Sequence, residues 1–193
     1  MKQFLKIVVT GPFNAGKTAF IRTVSEIEVV STEKKVTSPD EKIKTSTTVA
    51  MDFGRITINK HITLHLYGTP GQRRFDFMWE ILSEGMLGMI VLVDSNSPET
   101  FREARIILET FRAYAPRPYL VAANKQDCED AWDVEDLKAA LRLDRGIKVI
   151  PCVATDKESV KRVLIELLYL IRDELLEENN REKTITAHGS FGK

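Results

Sequence analysis

A three-layer α/β/α fold, with helices on both faces of a six-stranded and mostly parallel sheet, is the architecture this sequence predicts. Three observations carry it. Apolar runs of strand length alternate with longer stretches of helical spacing along most of the 193 residues, the pattern of a sheet buried on both faces. One pair of runs is joined by a turn too short for a crossover, which sets one antiparallel strand at the edge. A glycine-rich turn directly follows the first run and opens a helical segment.

The strands are expected at Phe4–Thr10, Val49–Ile58, Ile62–Tyr67, Leu87–Val93, Tyr119–Ala123 and Lys148–Pro151. Asn59 and Lys60 form the tight turn between the second and third, flanked by the alternating Ile56, Ile58, Ile62, Leu64 and Leu66. Helical stripes run through Phe101, Ala104, Leu108 and Phe111, and through Val160, Val163, Leu164, Leu167, Leu168 and Ile171. Ser97–Thr100, "SPET", opens the first stripe with a cap residue followed by proline. Val30–Thr47 is polar and without a sustained period, so it reads as a mobile loop, and a loop that long in a compact domain is usually functional. One domain over residues 1–180 is expected, with 181–193 a polar, solvated tail.

Composition narrows the function classes. Lys plus Arg and Asp plus Glu both number 28, so the chain lacks the positive field of a nucleic-acid binder. Cys128 and Cys152 form no metal-type pair, and the N-terminus does not resemble a signal peptide. The longest apolar stretch, Gly85–Val93, is too short to span a bilayer, and no lipidation motif is present. A cytoplasmic protein without an intrinsic membrane anchor is therefore expected.

The chemistry lies in "GPFNAGKT", residues 11–18, which has the spacing G-x-x-x-x-G-K-[ST] between a strand and a helix. Such a loop turns its backbone N–H groups around phosphate oxygens at a helix N-terminus. Phe13, Asn14, Ala15, Gly16 and Ala19 line it, Lys17 reaches the β and γ phosphates, and Thr18 ligates Mg²⁺. "NKQD", residues 124–127, follows the strand "YLVAA". The Asp127 carboxylate accepts two hydrogen bonds from guanine N1–H and N2–H₂, a donor pair that adenine lacks. Lys125 lays its stem over the base, and Asn124 ties this loop to the phosphate loop.

Together these motifs resemble those of Ras-like small GTPases, from Phe4 to about Leu175. "TVAMDF", residues 48–53, resembles the end of switch I, which implies Thr48 on Mg²⁺ and the γ-phosphate. "YGTPGQRRF", residues 67–75, resembles switch II, which implies that Gly71 meets the γ-phosphate and Gln72 orients the attacking water. Val153, Ala154 and Thr155 stand where the family has S-A-K, implying that the Ala154 N–H reads guanine O6. Within the family, the chain looks most like prokaryotic Ras-like GTPases, similar to the gliding-motility MglA-like GTPases and the β subunit of the signal recognition particle receptor. That implies a GTP/GDP switch with slow hydrolysis, protein effectors and an activating protein, for which the Roadblock/LC7 type is the family's candidate.

Three departures bear on catalysis. Gly68 replaces the aspartate that supports Mg²⁺ through water, which implies weaker metal binding. Phe13 crowds the place where an arginine finger would enter, and Pro70 stiffens the hinge before Gly71. Arg73 and Arg74 are either an internal finger or a surface pair, and a nucleotide-locked scaffold with little turnover is the alternative to a hydrolysing switch. His61 and His65, four apart on a predicted strand, read as solvated rather than as metal ligands. Cys152 is either oxidisable or a small buried apolar group. Trp79 either extends a binding surface or packs beneath its helix.

Overall fold

The computed structural model describes residues 2–31, 34–36, 47–49, 51–71, 75 and 77–189. The strands are β1 (Gln3–Thr10), β2 (Val30–Ser31), β3 (Lys34–Val36), β4 (Thr47–Val49), β5 (Asp52–Thr57), β6 (Ile62–Gly68), β7 (Gly88–Asp94), β8 (Tyr119–Asn124) and β9 (Val149–Pro151). The helices are α1 (Lys17–Val24), α2 (Phe77–Ser83), α3 (Phe101–Tyr114), α4 (Val134–Leu141) and α5 (Lys157–Gly189).

All six expected strands are present in one sheet, ordered β2-β5-β6-β1-β7-β8-β9. β1 runs parallel to β6 and β7, β8 and β9 continue that direction, and β5 is antiparallel to β6. The two-residue β2 adds a short rung outside β5, antiparallel to it. The hairpin turn is held by Asn59, whose Oδ1 accepts from the N–H of His61 at 2.8 Å and of Ile62 at 2.9 Å. His61 therefore belongs to the turn, and only His65 lies on the strand. Among the described residues no cluster of His, Cys, Asp or Glu is arranged to hold a metal ion by itself.

Part of the stretch read as a mobile loop is paired: β3 and β4 form a separate antiparallel ladder in which Thr48 stands opposite Lys35. The segment expected from Val49 to Ile58 as one strand is accordingly split into β4 and β5. At the other end, α5 continues beyond Arg181 to Gly189, so the polar composition of this segment coexists with helical backbone.

Strand alternation sorts the core into two layers. Ile7, Val9, Leu64, Leu66, Ile90 and Leu92 pack with Phe20 and Ile21 of α1 and with Val163 and Leu167 of α5. Val8, Met89, Val91, Val93 and Val121 face the other way, onto Trp79, Ile107, Phe111 and Leu137. All seven residues of β7 are buried, as a central strand covered on both faces requires. Trp79 resolves to packing, being 2% exposed with its ring centroid 5.8 Å from that of Phe111. Removing a side chain such as Phe20 would cost about 3–5 kcal/mol. Among the described residues, no helix is long and apolar enough to cross a membrane.

The parallel strands bring their carboxyl ends to one edge of the sheet, where Gly11, Thr69, Ser95, Lys125 and Cys152 each follow a strand end. That edge is where open α/β sheets bind ligands.

Candidate functional site: a phosphate loop facing a base-binding loop

Two glycines shape the loop between β1 and α1. Gly11 has φ +143°, and a Cβ there would lie 2.1 Å from the Leu92 carbonyl oxygen. Gly16 has φ +97° at the N-terminus of α1, and a Cβ there would lie 2.3 Å from Asn124 Nδ2. Any side chain at either position would push the loop off its neighbouring strands. Asn14 also takes a left-handed conformation, with φ 63°.

Lys17 is 8% exposed, and its Nζ donates to the carbonyls of Gly11 at 2.8 Å and Pro12 at 2.6 Å. Burial pulls its pKa down to about 8, with Asp52 and Glu103 opposing that fall. A cation held at the edge of ionisation by desolvation gains most from an incoming anion. Its loop carbonyls keep it aimed at the mouth of the site.

The sequence reading missed Asp52. It stands directly opposite Gly68 in the β5–β6 ladder, is 7% exposed, and its Oδ2 accepts from Thr18 Oγ1 at 2.5 Å. A Cβ at Gly68 would come 3.0 Å from Asp52 Cβ and 2.9 Å from Ile21 Cδ1. The carboxylate absent from position 68 is thus supplied by the neighbouring strand, in a space that glycine leaves open. The available signal was the alignment of "MDF" against "YG" across the predicted hairpin.

A cavity of about 440 Å³ holds these groups together, lined among others by Asn14, Gly16, Lys17, Asp52, Thr69 and Gly71. A larger depression of about 610 Å³, near Arg112, Arg117 and Tyr119, lies at the amino ends of β8 and β9, away from this edge. Gly71 approaches the phosphate loop closely, since a Cβ on it would lie 2.6 Å from Phe13 N and 2.8 Å from Lys17 Nζ. Thr69, whose Oγ1 lies 2.8 Å from that of Thr10, and the Pro70 carbonyl, which accepts from Trp79 Nε1 at 3.3 Å, anchor this approach. The Phe13 ring is 66% exposed at the same edge.

On the far side, Asn124 bridges the loops: its Nδ2 donates to Ala15 O and its Oδ1 accepts from Ala154 N, both at 2.8 Å. This corrects one expectation, because the Ala154 N–H assigned to guanine O6 is committed to Asn124. The amide of Asn124 offers both a donor and an acceptor, so it ties both loops at once. Lys125 has φ 64°, and its Nζ meets Oδ2 of the buried Asp94 at 2.5 Å, an ion pair absent from the sequence reading. Asp94 also accepts from Asn96 N at 3.0 Å and Ser97 Oγ at 3.1 Å. Asp127 is exposed beside this pair, Val153 N–H donates to Ser159 Oγ at 2.9 Å, and Thr155 is exposed at the loop tip. Gln72, Arg73 and Arg74 lie outside the described residues, as does the side chain of Thr48.

Known proteins agree with this geometry. The family described as "conserved hypothetical ATP binding protein" matches residues 27–187, beginning after the phosphate loop. An uncharacterized protein of Methanocaldococcus jannaschii is 32% identical over 131 residues, 67% of this chain and 75% of its own. ADP-ribosylation factor-like protein 4C of Homo sapiens is 31% identical over 144 residues, 73% of this chain and 70% of its own. ADP-ribosylation factor-like protein 3 of Saccharomyces cerevisiae is 29% identical over 169 residues, 83% and 82% of the two chains.

Proposed function

This chain belongs to the Ras-like small GTPases, and from that premise we propose a switch that binds guanine nucleotide and hydrolyses GTP slowly to GDP and phosphate. The observation that carries it is the double hydrogen bond of Asn124, which joins a phosphate loop to a guanine-type loop through one side chain. The family description names ATP, whereas the residues here favour guanine. Asp127 pairs with a donor edge that only guanine presents, and adenine would leave that carboxylate unmatched.

Within this reading, Lys17 and the backbone N–H groups of residues 13–18 hold the phosphates and neutralise charge that builds on the β–γ bridge. Gln72 orients the attacking water, and the Gly71 N–H meets the γ-phosphate. Mg²⁺ fits the donor set, because Thr18 Oγ1 and the Asp52 carboxylate converge beside Lys17 and are the hard oxygens this ion prefers. Thr18 would hold it directly with Thr48, and Asp52 would take over the support that position 68 cannot give. The ion supplies charge neutralisation on the phosphate oxygens. Release of the γ-phosphate then frees Thr48 and Gly71, and protein partners read the change. Those partners include effectors and an activating protein, with the Roadblock/LC7 type as candidate, in a cytoplasmic setting.

Competition of GDP and ADP for a fluorescent guanine nucleotide on the full chain is the test. GDP is expected to compete at least about a thousandfold better than ADP, and equal competition would overturn the guanine assignment. Single-turnover phosphate release from GTP-loaded protein separates the hydrolysing switch from a locked scaffold. Release that slows further in Gln72→Ala supports the switch, and inert native protein supports the scaffold.

A further inference from the structure

The sheet face opposite α1 carries an organised patch on β5, β6 and β1 that the nucleotide site does not use. Register places Arg55 and Lys6 on either side of His65, in one row across three strands. Phe53 and Tyr67 form the pair on one side of this row, and Phe4 lies on the other. The rings touch: Phe4 and His65 centroids are 4.9 Å apart, Phe53 and His65 5.3 Å, and Phe53 and Tyr67 5.1 Å. Lys6 Nζ sits 5.4 Å from the Tyr67 centroid and donates to the Glu84 carbonyl at 2.6 Å.

This face is open and locally cationic. Phe4 is 58% exposed, Arg55 is exposed, and Lys6, Phe53, His65 and Tyr67 are half-buried. Two carboxylates border it. Glu26 is held by Thr57 through its N–H at 2.9 Å and its Oγ1 at 2.8 Å, and Glu84 lies beside Lys6. Among the described residues no carboxylate forms an ion pair with Arg55 or His65. In a chain whose total charge is zero, a cation–imidazole–cation row on an aromatic floor is a local excess without an internal counterpart. Exposed α2 residues Phe77 (59%) and Ile81 (62%) extend the apolar surface on the element that leads to Glu84.

We propose that this face docks a partner protein through an extended segment in which Asp or Glu alternates with apolar side chains. Carboxylates on alternate residues meet Arg55 and Lys6, and the intervening apolar side chains lie on Phe4, Phe53 and Tyr67, the period of two matching an extended peptide laid on a pleated surface. The two firm cations are too few for the polybasic clusters that hold anionic membranes. The patch also touches the phosphate site through the chain, since Phe53 follows Asp52 and Tyr67 precedes Gly68. A dependence of docking on nucleotide would rest on the switch function above, but docking itself does not.

Fluorescence anisotropy on the full GDP-loaded chain tests this, using a labelled peptide of about twelve residues that alternates Glu with Leu and Phe. Binding to this peptide that weakens at least about tenfold in Arg55→Glu and in Lys6→Glu, and weakens with added salt, is the expected result. Arg55→Gln should weaken it less, and Phe4→Ser should weaken it without changing the salt dependence. No binding, equal binding of the Lys-for-Glu peptide, or an unchanged affinity in both charge reversals would overturn it. So would loss of sedimentation with phosphatidylserine vesicles in Arg55→Glu when the peptide does not bind. GDP affinity, measured on the same samples, is expected to stay constant across these variants. A native chain that fails to bind GDP would count against the switch and leave the peptide result to stand alone.

Discussion

Asp52 and Gly68 face each other across the β5–β6 ladder, and the space a Cβ would need at 68 is taken by Asp52 Cβ at 3.0 Å. The two positions are therefore alternatives, and only one carboxylate fits. Asp52→Asn keeps the shape but removes the charge, so Mg²⁺ should be needed at least about tenfold higher to slow GDP dissociation. Gly68→Asp alone should destabilise the fold by about 1–3 kcal/mol through overpacking against Ile21 and Asp52. The double change Asp52→Gly with Gly68→Asp should recover part of both losses. Nucleotide-release rates against Mg²⁺ concentration and thermal unfolding check the set. An Asp52→Asn protein with native Mg²⁺ dependence would show that Asp52 serves only the fold.

Gly71 allows a second close approach. With Phe13 N at 2.6 Å and Lys17 Nζ at 2.8 Å from the place of a Cβ, alanine at 71 has to move the hinge off the phosphate loop. Gly71→Ala should lower single-turnover GTP hydrolysis at least about tenfold while GDP affinity changes by less than about threefold, because the γ-phosphate contact is lost and the rest of the site is intact. Equal losses in both would mean that the substitution has distorted the loop itself.

How much of this was legible in the sequence depends on the range of the interaction. The six strands, the phosphate loop and the bridging role of Asn124 rest on local pattern or on a motif with a fixed partner, and all three are found. Asp52 escaped because its role comes from register: the residue matters only once β5 is paired with β6 so that 52 faces 68. Asp94 escaped for a similar reason, being the last residue of a buried strand whose neighbour β8 brings Lys125 beside it. The β3–β4 ladder has no period longer than three residues per strand, too short for alternation to register. The commitment of Ala154 N–H to Asn124 is a backbone matter that side-chain identity does not encode.

Lys17 makes nucleotide binding a proton-linked event. In the protein alone its pKa is down to about 8, whereas phosphates at its tip favour the charged form. Below about pH 8 the ammonium is already formed, so little proton is taken up. Above it, binding has to reprotonate Lys17, and at pH 9 about 0.9 proton should be absorbed per GDP. Calorimetry in two buffers of different ionisation enthalpy reads this directly, and Lys17→Gln should abolish the difference. The same burial acts on stability: the folded pKa lies below the unfolded 10.5, so Lys17 works against folding most fully below pH 8 and its cost fades as pH rises toward 10.5.

The two cysteines should separate cleanly by reactivity. Cys152 is 1% exposed, and burial outweighs its hydrogen bond with Ser159, pushing the thiol up to about 11. At pH 8 only about one molecule in a thousand carries the thiolate that alkylating reagents attack. Cys128 is partly exposed and follows Asp127, and its N–H donates to Lys125 O at 3.0 Å within the base-binding loop. Iodoacetamide should therefore label Cys128 alone in the folded chain, with Cys152 labelled only after denaturation. Because the adduct sits beside Asp127, labelled protein should lose GDP affinity, and prior loading with GDP should slow the labelling several-fold. Mass spectrometry of peptides after timed labelling checks both points. Fast labelling of Cys152 in the native chain would show that the strand end below the guanine loop opens readily. Cys128 labelling at the same rate with and without GDP would place that residue outside the base site.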